Sequence, residues 1–286
     1  MNSIMEDKVK FLIDTYGKDD QRTEAWHTKR GEMLTASEIY KTVKDATPAS
    51  RHELITNKLT PREAGQFMTA RALIWGTQFE PMAKHIYSKI FGVQIVDTTC
   101  IPHPSHSFLG ASPDGIQVTD DTTNPRYGRL VEFKCPISRK VDESEPIPTA
   151  YFHQMQLQME CTQLDVCDYA EFQFKQMNYT EWTETNVEYK SAFIVSEDGK
   201  TVLYRDFDDA RTIAEWKEAV VPKDDEGHWM FVFWALMKTK FATVEKDTEW
   251  LSTNLPYFES TWSVIQTHRV AGTMPDHPRE KNTLVL

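Results

Sequence analysis

The chain has 286 residues, of which 40% are hydrophobic and 12% aromatic, with only 11 Gly and 14 Pro. That balance excludes a disordered or fibrous chain and leaves enough apolar side chains for a sizeable core. The formal charge of −11 argues against a polyanionic partner, yet residues 1–140 carry a net +2 and residues 141–286 a net −13, so a polyanion must meet the first half, helped by metal cations that offset clustered carboxylates.

Residues 1–10 are mixed polar and charged, and no apolar run reaches the length of a signal segment or a membrane span, which predicts a soluble intracellular protein. Thr35-Ala36-Ser37-Glu38-Ile39-Tyr40 places a capping residue ahead of a helical pattern. Across residues 70–91, Leu73, Phe79, Met82, Ala83, Ile86, Tyr87 and Ile90 recur at helical spacing. After Gly92 the period changes to strands over 93–101, 108–118 with a turn at Pro113-Asp114-Gly115, and 129–135, which together predict a curved meander. The acids and prolines of 142–148 predict an exposed loop. A helix over 149–162, a strand over 166–174 and a hairpin over 193–204 around Glu197-Asp198-Gly199-Lys200 follow. Two further helices are expected over 228–241 and 248–268, the first with Trp229, Phe233, Trp234, Leu236 and Met237 on a wide apolar stripe that packs into the core. The pattern describes an α/β fold with a central mixed, largely antiparallel sheet flanked by helices, divided into residues 1–205 and a C-terminal helical extension, 206–286, packed on the same domain.

Four cysteines at irregular spacing, without a CxxC pair, fit reduced thiols. Cys100, His103 and His106 form a short run of metal-binding residue types, but without a fourth ligand at matching spacing they read as a strand thiol followed by loop histidines. A sharper constellation lies nearby. Ser112-Pro113-Asp114-Gly115 closes one strand segment, and Val131-Glu132-Phe133-Lys134 lies on another. Side-chain alternation puts Glu132 and Lys134 on one face, beside Asp114 if the strands pair, and turns Phe133 into the core. Mg²⁺ takes oxygen ligands, so two carboxylates, a backbone carbonyl and phosphate oxygens make a suitable shell, with a lysine to orient or help deprotonate a water. Taken alone, the same residues also read as a turn-capping Asp and a solvated strand pair.

With the surrounding sequence, this combination resembles the PD-(D/E)xK nuclease superfamily, and within it the phage λ exonuclease and YqaJ-type viral recombinase branch. The resemblance runs from Trp26 to Thr162. Trp26 and Arg30 precede Thr35-Ala36-Ser37, and Trp75-Gly76 precedes Glu80 on a helix. Ser112-Pro113-Asp114-Gly115 and Glu132-Phe133-Lys134-Cys135-Pro136 match the central motifs, and Tyr151-Phe152-His153-Gln154-Met155-Gln156 is similar to the helix after them.

The resemblance implies a restriction-endonuclease-like core within residues 1–205 and a processive 5′-to-3′ exonuclease of linear duplex DNA in recombination or repair. Mg²⁺ would be its cofactor, with Mn²⁺ able to substitute. It further implies that Asp114, Glu132 and the Phe133 carbonyl ligate metal, Lys134 positions the water, and Glu80 holds a second metal or its waters. Arg30, Ser37, Ser112 and Gln154 match residues around a terminal 5′-phosphate, Tyr151 and Gln154 face the DNA, Leu73 matches a strand-separating wedge, and Trp75 packs. A homotrimer, a single-strand annealing partner and a viral source acting in a host cell belong to the same expectation. The alternatives are a structure-selective endonuclease on the same core and a silent DNA-binding recombination scaffold; the intact Glu80, Asp114, Glu132 and Lys134 speak against the second. Beyond about Phe174 the branch offers no counterpart.

Overall fold

The computed structural model describes residues 2–18, 21–60, 71–222 and 228–278. Helices α1 (Asn2–Tyr16) and α2 (Glu24–Gly31) come first, the second opened by Thr23, whose hydroxyl accepts from the Trp26 amide. A two-residue strand, β1 (Leu34–Thr35), and a 3-10 turn (Ile39–Lys41) stand where the sequence predicts a helix over Thr35 to Tyr40. The reason is local. The amide and hydroxyl of Thr35 both donate to the Glu38 carboxylate, at 2.9 and 2.8 Å, and this side-chain closure competes with helical pairing. Helix α3 (Pro48–Leu59) carries a Thr47 cap and a proline in its first turn, where the missing amide costs nothing. Helix α4 (Arg71–Phe91) matches the apolar spacing; Ala70, the first residue of the expected range, lies outside the described residues.

The strands that follow are β2 (Gln94–Val96), β3 (Ile101–Pro102), β4 (Leu109–Ala111), β5 (Gly115–Val118) and β6 (Leu130–Lys134). After them come α5 (Thr149–Thr162), β7 (Val166–Met177), α6 (Tyr179–Glu184), β8 (Lys190–Ser196), β9 (Val202–Tyr204), α7 (Ile213–Val220), β10 (Trp229–Glu245) and α8 (Trp250–Ala271). A seven-stranded mixed sheet has the order β2-β5-β6-β7-β10-β8-β9, and a small sheet the order β1-β4-β3. In the large sheet β6 and β7 are parallel and the other neighbours antiparallel. A parallel pair needs a crossover, and α5 supplies it across one sheet face.

Both strands expected over 93–101 and 108–118 are split between the two sheets. The breaks fall at residues 97–100 and 112–114, and they are tied to each other: the Thr98 hydroxyl donates to the Pro113 carbonyl at 3.1 Å. The Pro113-Asp114-Gly115 turn is therefore a sheet-to-sheet corner, not a hairpin.

A larger correction concerns residues 228–241, expected to be helical: they lie in or beside β10, the strand between β7 and β8. Phe233 registers with Met177 on one side and Ala192 on the other. The run Trp229-Met230-Phe231-Val232-Phe233-Trp234, with Thr239, Thr243 and Val244 after it, is aromatic and β-branched. Paired along both edges and partly covered on both faces, the strand loses the alternation that would have distinguished it from a helix. The expected hairpin over 193–204 and the final helix are present as β8–β9 and α8.

Two apolar clusters sandwich the large sheet. One gathers Leu130, Cys167 and Tyr169 with Leu157 of α5, Phe258 and Ile265 of α8 and Leu12 of α1. The other gathers Val131, Phe133, Phe172, Phe174 and Trp234 with Phe79, Ile86 and Tyr87 of α4. On the α4 face, buried Asp168 accepts from Arg126 (2.6 Å), Gln117 (2.8 Å), Thr243 (2.8 Å), Tyr87 (3.0 Å) and Arg129 (3.1 Å), and so ties β5, β7 and β10 together. Among the described residues no helix is long and apolar enough to cross a membrane.

The strand assignment of β10 carries a testable contrast. Trp234 is fully buried, whereas Met237 is 43% exposed. Trp234→Ala is expected to cost about 3–5 kcal/mol of unfolding free energy, and Met237→Ala less than about 1 kcal/mol. Urea denaturation of both variants measures this, and similar losses would contradict the assignment.

Candidate active site

Strand β6 places Glu132 against α5 with only 1% of its surface exposed. A buried carboxylate must find donors, and Glu132 finds three. One oxygen accepts from Lys134 Nζ and from Gln154 Nε2 at 2.7 Å; the other accepts from Gln158 Nε2 at 2.6 Å. Gln154 and Gln158 are four apart on α5, hence on one helical face. Lys134 also lies 4.6 Å from the centre of the Tyr151 ring, in the first turn of α5. Burial alone would lower the lysine ammonium, but Glu132 and Asp114 outweigh it and raise it above its usual value, so Lys134 is held as a cation.

Asp114 sits at the corner between β4 and β5, and its carboxylate accepts from the Phe133 amide at 2.7 Å. Burial, then the negative charges of Glu132 and Glu80, push its carboxyl well above the usual range, against the opposing pull of Lys134 and Lys84. Glu80, on α4, pairs with Arg22 at 2.5 Å through one oxygen and with Lys84 at 3.1 Å through the other. Burial would raise Glu80 too, but Lys84 and Arg22 together hold it below its usual value.

A second cluster adjoins the first. Arg30 on α2 donates to Ser37 at 2.8 Å, Thr35 at 3.2 Å and Ser112 at 3.3 Å, and its guanidinium lies 4.2 Å over the Trp26 ring. Trp26 Nε1 donates to the same Ser112 hydroxyl at 3.1 Å. Behind this fork, Lys58 of α3 donates to the Arg30 carbonyl at 2.9 Å and pairs with Glu38 at 2.6 Å. Arg269, from the last turn of α8, donates to the carbonyls of Gly31 and Lys58 at 2.7 and 3.2 Å. Arg30 and Lys58 thus share one acid, Glu38, and Arg269 adds a third positive charge beside Lys58. Burial lowers both the Arg30 guanidinium and the Lys58 ammonium, the mark of desolvated cations short of negative charge.

Of the residues singled out in the sequence, Glu132, Lys134, Gln154 and Tyr151 meet on the α5 side of β6, and Asp114 joins them through Phe133. Phe133 points its ring into the α4-side core as alternation requires. Arg30, Ser37 and Ser112 form the adjoining cluster, with Gln154 on Glu132. Leu73, in the first turn of α4, is 55% exposed, so it is not a core residue. Trp75 packs on Phe79, ring centres 4.4 Å apart. The sequence reading missed Gln158, although four-residue spacing from Gln154 marks it, and it missed Arg22, Lys58, Lys84 and Arg269, whose roles depend on tertiary approach. In the Cys100–His106 run the histidines lie in a loop as expected, but Cys100 stands in the break before β3 rather than in a strand; it faces the Met33 sulfur, and His103 Nδ1 accepts the amides of Ser105 and His106, its imidazole pushed down to about 4 by burial.

Among the described residues no three His, Cys, Asp or Glu side chains are gathered closely enough to hold an ion as they stand. Each acid of the site is turned onto a nitrogen donor instead. The donor set nevertheless suits a hard divalent cation: all candidate ligands are oxygens, and the mutual repulsion of Asp114, Glu132 and Glu80 is a cost that such a cation removes.

Residues 25–165 match the YqaJ-like viral recombinase domain. An uncharacterized protein of Acanthamoeba polyphaga mimivirus is 30% identical over 173 residues, 58% of this chain but 31% of its own length, so the chain spans about a third of that relative. Among solved structures, an alkaline exonuclease from Laribacter hongkongensis superposes with a TM-score of 0.51 at 22% identity, covering 87% of this chain and 94% of the other. The same exonuclease in complex with dAMP gives 0.50 over the same shares. The fold is that of these exonucleases.

The strained acid gives a pH signature. Folding raises the Asp114 carboxyl, so between its unfolded and folded values the native state binds more protons than the unfolded chain, and stability falls as pH rises through that window. Above the window the whole cost is present. Asp114→Asn keeps an acceptor for the Phe133 amide and should raise the melting temperature in EDTA at pH 8, the gain vanishing as pH falls to about 4. A variant that melts below wild type at pH 8 would show that burying this charge is no burden.

Proposed function

We propose that this chain, which carries a YqaJ-like viral recombinase domain at residues 25–165, is a divalent-metal-dependent exonuclease that degrades linear duplex DNA from a 5′-phosphorylated end. The observation that carries the reading is the junction of two sites. A buried Glu132 locked to Lys134, Gln154 and Gln158 stands beside Asp114, and next to it Arg30 gathers the hydroxyls of Ser37 and Ser112 around its guanidinium. The first suits phosphodiester hydrolysis and the second a terminal phosphate.

Hydrolysis forms a bond from water oxygen to phosphorus and breaks the bond from phosphorus to the 3′ oxygen of the terminal nucleotide. Bound divalent cations supply charge neutralisation and a more acidic water. Asp114, Glu132 and the Phe133 carbonyl would hold them, with Glu80 at the margin. Lys134, held as a cation, donates to the attacking water or the phosphate and fixes its direction; it does not act as the base. Gln154 and Gln158 hold Glu132 in one rotamer, and Tyr151 shields Lys134. Leu73, exposed at the start of α4, would press against the terminal base pair. Each cut leaves a new 5′-phosphate on the strand that remains, so the Arg30 cluster can grip the shortened end again, a physical basis for processive action. An annealing protein as consumer of the exposed strand, and a trimer, belong to this reading through the family resemblance alone.

Asp114→Asn, Glu132→Gln and Lys134→Ala are each expected to abolish release of nucleotides from linear duplex in Mg²⁺ or Mn²⁺, and double variants to lose little more, because the groups act as one unit. EDTA should stop the reaction without unfolding the chain. Near-normal turnover by Lys134→Ala, with an unchanged circular dichroism spectrum, would remove the mechanism.

Duplexes with 5′-phosphate ends should be degraded faster than those with 5′-hydroxyl ends by about one to two decades, since a charge-assisted hydrogen bond is worth roughly 1.5–3 kcal/mol. Arg30→Ala should erase most of the difference. Equal wild-type rates on both ends would exclude the phosphate pocket and leave the metal reading standing, and cleavage of closed circular duplex would favour an endonuclease.

A further inference from the structure

Arg22 sits in a conformation its residue type rarely adopts. Its φ is +70°, in the left-handed region, although a β-carbon is disfavoured there and only Arg22 and Gln163 adopt it among the described non-glycine residues. The backbone on both sides is fastened. Gln21 Nε2 donates to the carbonyls of Thr98 and Pro113, at 2.7 and 3.1 Å, next to the Asp114 corner, and Thr23 caps α2. The strain delivers one thing, the Arg22 guanidinium on Glu80 at 2.5 Å.

Glu80 carries two cations, and they differ in what else they hold. Lys84 has a second carboxylate, Asp97, at 2.5 Å, and stays paired if Glu80 is taken from it. Arg22, its side chain 43% exposed against 17% for Glu80, makes no other hydrogen bond or ion pair among the described residues. A divalent cation that takes the Glu80 oxygen held by Arg22 displaces the guanidinium, which then stands charged, half in solvent and beside the Asp114 corner. A guanidinium presents a planar fork that matches phosphate oxygens.

We infer that Arg22 is a DNA-phosphate-binding side chain parked on Glu80, released to the substrate backbone when a divalent cation takes that carboxylate. The inference rests on the reading of Glu80 and Asp114 as metal-holding acids. It makes Arg22 a link between metal loading and grip on DNA: before loading, the arginine neutralises the acid, and after loading it neutralises a phosphate.

The experiment pairs two titrations of wild type, Arg22→Gln and Arg22→Lys. Calorimetry with Ca²⁺ alone reads competition at the acid. Fluorescence anisotropy of a 5′-phosphorylated duplex, in Ca²⁺ and in EDTA over a range of salt, reads the phosphate contact. Arg22→Gln should bind Ca²⁺ roughly two- to tenfold more tightly, as expected on losing a partly buried ion pair. It should bind DNA several-fold more weakly in Ca²⁺ but equally in EDTA, with a salt slope in Ca²⁺ smaller by about one. Arg22→Lys, which keeps the charge and loses the fork, should lie between. Unchanged Ca²⁺ affinity, or a DNA defect of equal size with and without Ca²⁺, overturns the inference and leaves the metal site intact. Failure of wild type itself to bind Ca²⁺ takes down the metal reading and this inference with it.

Discussion

A glutamate carboxyl with almost no contact with solvent is the constraint around which this molecule is arranged. Leaving Glu132 unpaired would cost several kcal/mol, and the chain meets the demand from two elements that only a crossover connection brings together: Lys134 from its own strand, Gln154 and Gln158 from α5. Because β6 and β7 are parallel, the chain between them must cross a sheet face, and α5 crosses the face that Glu132 points into. Topology and charge compensation are therefore one requirement. Alternation along β6 turns Val131 and Phe133 to the opposite face, where they pack on the aromatic cluster of α4, the helix that carries Glu80.

How much of this is legible in the sequence follows from the range of the interactions. Helices α4, α5 and α8 and the β8–β9 hairpin declare themselves through local periodicity and turn chemistry. Alternation along β6, which depends only on neighbours, likewise sets Glu132 and Lys134 on one face and Phe133 on the other. What is not legible is set by partners far along the chain. Strand β10 looks like a helix until β7 and β8 are seen on its two edges. The Thr35–Tyr40 segment looks helical until Glu38 is seen closing onto Thr35 and bracing Lys58. Arg22 looks like a surface charge, and nothing local reveals that it reaches residue 80.

Charge distribution follows the same division. The strongly acidic second half seemed unfit to approach DNA, yet it supplies Arg269, whose bonds to Gly31 and Lys58 hold the end of α2 on which Arg30 sits. A region can be acidic in sum and still contribute one cation where it matters, because fields at a site are set by the nearest few charges and screened beyond about 10 Å. The C-terminal helix is thus a brace for the Arg30 cluster rather than an appendage.

The placement of β10 also bears on how the chain is made. All the acids, the lysine and both glutamines on Glu132 lie before residue 160, but the interior strand that joins β7 to β8 ends at Glu245, 68 residues beyond the end of β7 at Met177. During synthesis at about 5–20 residues per second, β7 waits roughly 3–14 s with one edge bare, and the β8–β9 hairpin waits beside it. Bare apolar edges pair with whatever strand arrives first. A ribosome that stalls in that interval releases a chain with the acids, the lysine and the glutamines in place on only part of their sheet, a product prone to stick to its neighbours.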